Sequence, residues 1–576
     1  RRLFSSILVR ATMALIVLRF KTAQVGFSGL IGKWCHWRPM LRMETLALIA
    51  SLYFSIASNG LFWRSSLAGR SFDQMDTWVF AVGSFIVLTV IHFLLLCLLL
   101  NRWTAKPLLA LLIVITAFAV YYMNTFTVFL DPSMLRNVLR TDAKEAGELF
   151  SIGMLPQLLL IAGLPMLLLS RVRLHNETIQ RALRIRMSVL LLAVLAGAAS
   201  LMVVFHDLAP LMRNNKEIRY LITPGNLLYS LARVLSADAD AATRVREPVG
   251  FDAVKAPSWQ QRKKPALFVI VVGETARAAN WGLSGYARQT TPKLAQLDVI
   301  NFSRLTSCGS NTEVSLPCMF SVYGRRNYDE GKIRNSESLL NVLDRAGMKV
   351  IWRDNQSGCK GVCNGVEEQR LGASTIPGLC EGGRCLDEIL LNGLDSLLAD
   401  NKGNLVLVMH QLGNHGPAYY KRYPPAFRKF EPVCETADLA TQCSPQAVIN
   451  TYDNALLYTD HTLAQTIDFL KKQNEKYDTA MIYISDHGES LGEKGLYLHG
   501  VPYAIAPKVQ VEVPMVMWFS PEYAQSFSLN TDCLRRRAAL PATHDNLFHS
   551  VLGLLDVQTE SYDRTMDLAA TCRGNM

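Results

Sequence analysis

The chain has 576 residues, half of them hydrophobic, and its 59 Lys and Arg exceed its 48 Asp and Glu to give a formal net charge of +11. This length is more than one hydrophobic core usually organises, so two domains are expected. The surplus charge owes much to arginines beside apolar runs; it points away from a nucleic-acid partner and suits anionic lipid head groups.

Residues 1–42 read as a basic N-terminal arm, carrying Arg1, Arg2, Arg10, Arg19, Lys21, Lys33, Arg38 and Arg42. The weakly apolar stretch 7–20 is interrupted by Arg10 and Arg19, so the arm is a surface segment or an upstream extension of a protein beginning at Met40 or Met43. Five apolar stretches follow, 44–63, 77–100, 107–130, 151–170 and 187–206. Each has about the ~20 residues that a helix needs to cross a bilayer, so a transmembrane domain of five spans is predicted over 43–206. The loops with Arg102 and Lys106, and with Arg171, Arg173, Arg181, Arg184 and Arg186, belong on the cytoplasmic side. The loop 131–150 mixes both signs and lies outside, as do a linker of bridging helices over 207–264 and a catalytic domain over 265–576.

The cysteines agree with that topology. Only Cys35 and Cys97 belong to the membrane half, while the other ten follow from Cys308 onward, with the short spacings Cys308/Cys318, Cys359/Cys363, Cys380/Cys385 and Cys434/Cys443. An even set confined to the outer domain implies disulfides in an oxidising compartment. A zinc-cysteine cluster at Cys359 and Cys363 is the rival, and the pairing of Cys533 with Cys572 stays open.

Past Lys264, strands at 266–272, 348–352, 405–409, 479–484 and 514–519 alternate with helices at 336–346, 386–399 and 446–472. That alternation predicts a mostly parallel sheet between helices, with active residues at the carboxyl ends of its strands. Three such ends deliver Glu274, His415 and the pair Asp486-His487 toward one rim, a combination that suits a metal better than three chance loop residues. The small, polar run Ser307-Cys308-Gly309-Ser310-Asn311-Thr312 opens a helix. Thr312 is either a plain N-cap or a nucleophile facing an anion at the helix start.

Several longer blocks carry a resemblance. They are Val271-Val272-Gly273-Glu274-Thr275-Ala276-Arg277, Gln289-Thr290-Thr291-Pro292, Ser315-Leu316-Pro317-Cys318-Met319-Phe320, Ser357-Gly358-Cys359-Lys360-Gly361-Val362-Cys363 and Ser485-Asp486-His487-Gly488-Glu489-Ser490. With the membrane half they resemble the phosphoethanolamine-lipid A transferases of the mobile colistin-resistance type, in the alkaline-phosphatase/sulfatase superfamily. The resemblance implies an N-terminal five-helix transmembrane domain and an α/β hydrolase-like domain of that superfamily. It further implies a monomeric, multi-pass enzyme of the bacterial inner membrane, with its catalytic domain in the periplasm.

By this resemblance one catalytic Zn2+ is held by Glu274, Thr312, Asp486 and His487, with Thr312 the nucleophile; a second ion near His415 and His499 is left open. Ser357, Lys360, His415 and His499 would bind the phosphoryl group or incoming substrate. Asn137, Thr141 and Glu145, at i, i+4 and i+8 on one helix face, would hold the ethanolamine head group. An ordinary amphipathic surface helix is the alternative. The segment Ser310-Asn311-Thr312-Glu313-Val314 departs from a common Thr-Ser-Thr-Ala-His but keeps the threonine.

The implied reaction moves phosphoethanolamine from phosphatidylethanolamine to a phosphate of lipid A through a phosphothreonine-type intermediate, conferring polymyxin resistance. The alternatives are transfer to the lipopolysaccharide core or another glycan, and phosphoglycerol transfer. A sulfatase would need a Cys/Ser-x-Pro-x-Arg setting that is missing near Cys308 and Cys318. A non-catalytic receptor would not need the full ligand set.

Overall fold

The computed structural model describes residues 37–141, 143–243 and 245–574, so the arm up to residue 36 lies outside the described residues. The apolar half opens with α1 (Met43–Ala57) and α2 (Gly60–Ser66), bent by 59°, and continues with α3 (Met75–Leu99) and α4 (Ala105–Phe126). The short helices α5 (Pro132–Arg140) and α6 (Ala143–Leu149) precede α7 (Ile152–Arg171) and α8 (Ile179–Asn214). α3, α4, α7 and α8 are each long and apolar enough to cross a bilayer, and α1 with α2 makes a fifth crossing if the bent pair is one span.

Two of these helices differ from the predicted spans for identifiable reasons. The stretch 44–63 is broken at Asn59, whose buried amide donates to the carbonyls of Phe54 at 2.9 Å and Thr223 at 2.8 Å and accepts from the Thr223 N–H at 2.9 Å. This side chain ties the first apolar segment to the bridging region, and Ser58-Asn59-Gly60 is itself a turn signal inside an apolar run. α8 extends past 187–206 at both ends, and its 36 residues make a rod of about 54 Å, longer than a ~30 Å hydrocarbon core. α8 lies along α3 through small residues: Ser200 Oγ donates to the Gly83 carbonyl at 3.0 Å.

After α8 a 3-10 turn (Lys216–Leu221) and α9 (Gly225–Thr243) lead into the second half. Its core is an eight-stranded sheet built from β1 (Ala266–Gly273), β2 (Ile300–Thr306), β3 (Lys349–Asp354), β4 (Glu367–Arg370), β5 (Leu405–His410), β6 (Asp478–Ser485), β7 (Glu512–Phe519) and β8 (Ala542–Thr543). The order is β8-β2-β7-β6-β1-β5-β3-β4, and only β7 runs against its neighbours. β1 and β6 are buried along their whole length, as central strands covered on both faces must be. Helices on the two sides include α10 (Thr312–Met319), α11 (Leu339–Arg345), α12 (Pro445–Lys472) and α13 (Asp545–Leu554).

The predicted helix 386–399 is instead a 3-10 turn (Asp387–Leu391) and a short helix (Leu394–Asp400), parted by Gly393 at φ 74°. That left-handed residue cannot continue a helix. Five disulfides brace this half: Cys308–Cys318, Cys359–Cys363, Cys380–Cys385, Cys434–Cys443 and Cys533–Cys572. Cys359 and Cys363 are thus joined to each other and offer no thiolate to a metal.

Candidate metal and nucleophile centre

Strand register builds the centre. Ser485 pairs with Gly273 in the parallel β6–β1 ladder, so the next residues, Asp486 and Glu274, leave the sheet side by side. Thr275 then turns through a left-handed φ of 61°, its N–H donating to Asp486 Oδ1 at 3.1 Å and its hydroxyl to Glu274 Oε1 at 2.7 Å. A non-glycine residue held in that region marks a backbone fixed by its surroundings. Gly413 presses on the same turn: a Cβ there would lie 2.6 Å from the Glu274 carbonyl oxygen.

The hydroxyl comes from the head of α10. Asn311, not Thr312, is the N-cap, its side chain accepting from the Val314 N–H at 3.1 Å. The Thr312 side chain is therefore released from the capping role that the sequence allowed it. Its Oγ1 lies 3.2 Å from each Glu274 carboxylate oxygen and 3.3 Å from His487 Nε2. All four residues are buried, with Thr312 2% exposed.

Donor atoms of Glu274, Asp486 and His487 lie within 4.8 Å of one another. Asp486 Oδ2 is buried with no hydrogen-bond partner, and His487 Nδ1 meets the Gly488 carbonyl at 2.9 Å, which leaves Nε2 turned to the carboxylates. Burial would depress the His487 imidazole, but Asp486 and Glu274 outweigh it and raise it to about 10. Burial acts to raise Glu274 as well, yet the hydrogen bond and charge of His487, with His415 and His410, hold it below the usual carboxylate range. Asp486 is raised by burial and then by Glu274. Two buried carboxylates side by side thus call for a cation, and two carboxylates, an imidazole and a hydroxyl fit a tetrahedral divalent ion.

This architecture has relatives. The family model described as Sulfatase matches residues 266–557, and that described as Phosphoethanolamine transferase EptA/EptB matches residues 88–239. Phosphoethanolamine transferase EptA of Escherichia coli is 38% identical over 554 residues, covering 93% of this chain and 98% of the relative. The chain belongs to the EptA/Mcr family of phosphoethanolamine transferases. Phosphatidylethanolamine transferase Mcr-1 of Escherichia coli is also 38% identical, covering 89% of this chain and 97% of its own. The integral membrane lipooligosaccharide phosphoethanolamine transferase A (EptA) from Neisseria meningitidis superposes with a TM-score of 0.88 at 36% identity, covering 93% of this chain and all of that one.

Around the EptA-like centre the other sequence candidates divide. His499 and His415 adjoin it: the His499 ring lies 4.4 Å from that of His487 and 5.6 Å from that of His415. Ser357 and Lys360 form a pair of their own, Lys360 Nζ donating to Ser357 Oγ at 2.6 Å, and Lys360 Nζ lies 3.6 Å from Glu313, the residue that follows Thr312. The single helix face drawn through Asn137, Thr141 and Glu145 does not exist. α5 ends at Arg140, Thr141 is extended at φ −62° and ψ 129° with its hydroxyl on the Asn137 carbonyl at 2.8 Å, and Glu145 falls in α6, where its side chain lies outside those described. α5 still meets α10, with Asn311 Nδ2 3.5 Å from Ser133 Oγ.

Three supporting residues escape sequence reasoning. Fully buried Glu489 accepts from Tyr419 at 2.5 Å and holds His499 Nδ1 at 2.8 Å, which fixes the His499 ring through that nitrogen. Its adjacency to the Asp486-His487 pair was the available signal. Asp354 holds His410 Nδ1 at 2.8 Å. Glu313, also fully buried, gathers Arg140 at 3.1 Å and Arg334 at 3.3 Å besides Lys360.

Proposed function

We propose that this transferase takes phosphoethanolamine from phosphatidylethanolamine, holds it on Thr312, and passes it to a phosphate of lipid A, as a multi-pass enzyme of a bacterial inner membrane with residues 265–576 in the periplasm. The reading rests on one observation above all: the Thr312 hydroxyl is equidistant from both Glu274 oxygens and beside His487 Nε2. Glu274, Thr312, Asp486 and His487 would hold one Zn2+. When bound, such an ion would supply the charge that favours loss of the Thr312 proton and would polarise a phosphoryl oxygen.

In the first step Thr312 Oγ1 bonds to phosphorus and the phosphorus–glycerol oxygen bond breaks. The threonine proton ends on the diacylglycerol oxygen. His499, oriented by Glu489, is placed to carry that proton, and His415 lies beside it to balance phosphoryl charge. In the second step an oxygen of the lipid A phosphate monoester bonds to phosphorus, the Thr312–phosphorus bond breaks, and the proton that the monoester gives up restores the Thr312 hydroxyl, with His499 placed to carry it. Division into two displacements replaces one difficult transfer by two easier ones. Both lipids stay in the membrane, which accounts for spanning helices beside the α/β domain, and the five disulfides of this half suit the oxidising periplasm. Added positive head groups on lipid A would lower its attraction for cationic peptides such as polymyxin.

Intact-protein mass spectrometry after exposure to donor lipid tests the covalent step. A head-group adduct on the parent chain, absent from Thr312→Ala, is expected; an adduct that persists in Thr312→Ala, or forms on neither chain under trapping conditions, refutes it.

A further inference from the structure

A cavity of about 410 Å³ opens between the two halves, beside the head of α10. Its walls include Arg219 and Tyr220 from the 3-10 turn, Tyr229 and Arg233 from α9, and Asn311 and Arg325 from the catalytic half. Neither Asn137 nor Thr141, expected at the ethanolamine head group, lines it, nor do Ser357, Lys360, His415 and His499, expected at the phosphoryl group or incoming substrate. We infer that this cavity receives the phosphate-bearing sugar head group of the acceptor lipid, an inference that rests on the two-step reading above.

Charge decides between donor and acceptor. The cavity's two carboxylates are already engaged. Asp131 caps α5, accepting from the Met134 N–H at 2.8 Å and the Ser133 hydroxyl at 2.9 Å, and Glu330 pairs with Arg136 and Arg334. Arg219, Arg233 and Arg325 have no carboxylate within ion-pair distance among the described residues. Arg219 meets only the Tyr220 hydroxyl at 3.1 Å and its ring, while Arg325 lies 3.7 Å over the Tyr503 ring and reaches the Cys308 carbonyl at 3.4 Å.

A zwitterionic ethanolamine phosphodiester needs a carboxylate as well as a cation. A phosphate monoester carries up to two negative charges and no positive one, and guanidinium forks match it. Tyr220 and Tyr229 add apolar faces with polar tips beside those forks, as a sugar ring with hydroxyl edges requires.

Position agrees with charge. The 3-10 turn begins at Lys216, just after α8 ends at Asn214, so the cavity lies on the side of the catalytic half from which a membrane-held lipid head group approaches. At the other end Asn311 adjoins Thr312, where the acceptor oxygen must meet phosphorus.

The test measures binding of lipid A and of phosphatidylethanolamine separately, in detergent micelles, to the full chain carrying Thr312→Ala. Arg219→Ala and Arg233→Ala are suitable because both side chains are exposed. Each is expected to weaken lipid A binding about tenfold, the worth of one charge-assisted contact, while phosphatidylethanolamine binding holds. Lipid A stripped of its phosphates should lose the dependence. Arg213→Ala, exposed at the end of α8 and not in the cavity wall, serves as the control for diffuse surface charge.

Unchanged lipid A affinity when Arg219→Ala and Arg233→Ala are combined overturns the inference. So does a parallel loss of phosphatidylethanolamine binding, or an equal loss in Arg213→Ala. Because the chain tested cannot form the Thr312 adduct, failure of the covalent reading is detected separately by mass spectrometry and does not alter this result.

Discussion

Glu313→Ala removes a carboxylate that three cations share across the two halves of the molecule. Glu313 is 0% exposed, Lys360 4%, Arg334 14% and Arg140 37%, so two of the three partners are also shielded from water. Its removal leaves buried Lys360 without a carboxylate and Arg334 with Glu330 alone, and breaking a buried ion cluster in this way costs about 3–5 kcal/mol. The half-open Arg140 adds little, under about 1 kcal/mol, because solvent screens it. At the ~2 °C per kcal/mol of a large domain, the expected fall in Tm is about 6–10 °C. Thermal unfolding of the full chain in detergent, followed by tryptophan fluorescence, reads this directly. Glu313→Gln keeps the shape and should lose a large part of the same stability; Arg140→Ala should lose little. A Glu313→Ala chain within about 2 °C of the parent would refute the reasoning, since it would mean that water already satisfies the three cations.

His487→Ala should lose bound zinc together with activity, as elemental analysis of the purified chain would show; full zinc with no activity would make His487 a proton carrier instead. Burial acts to raise the Asp354 carboxyl, but His410, Trp352 and the Gly358 N–H outweigh it and hold it at about 2. The folded value lies below the unfolded ~3.9, so this stability is complete above about pH 4 and is lost as pH falls toward 2, an acid limb that Asp354→Asn should flatten in denaturant titrations. The Cys533–Cys572 link spans a sequence separation of 39; Cys533→Ala with Cys572→Ala should cost about 4 kcal/mol by loop-closure entropy, measured as a lower unfolding midpoint.

Much of the catalytic half was legible because its central strands are continuous β-branched or apolar runs. Strand ends then placed Glu274, Asp486 and His487 on one rim, as the β1–β6 register does. The outer strands were harder to see. β4 is Glu-Glu-Gln-Arg with no apolar residue, β8 is two residues long, and β2, Ile-Asn-Phe-Ser-Arg-Leu-Thr, alternates only weakly. The reversal of β7 depends on its neighbours and has no local signature.

Long-range polar contacts were the other blind spot. Nothing near Asn59 in sequence announces Thr223, and nothing near Glu313 announces Arg140. The helix face through Asn137, Thr141 and Glu145 assumed unbroken periodicity, which the extended Thr141 ends. Asn311 took the capping role because its side chain reaches the Val314 N–H, and that freed the neighbouring threonine.

The central claim is that Thr312 carries phosphoethanolamine to lipid A. Mass spectra of lipid A from cells making the parent chain, Thr312→Ala or neither test it most directly. A lipid A species heavier by one phosphoethanolamine group, present with the parent and absent with Thr312→Ala, is predicted. The same species from Thr312→Ala cells, or unmodified lipid A from cells with abundant, zinc-loaded parent protein, would contradict it.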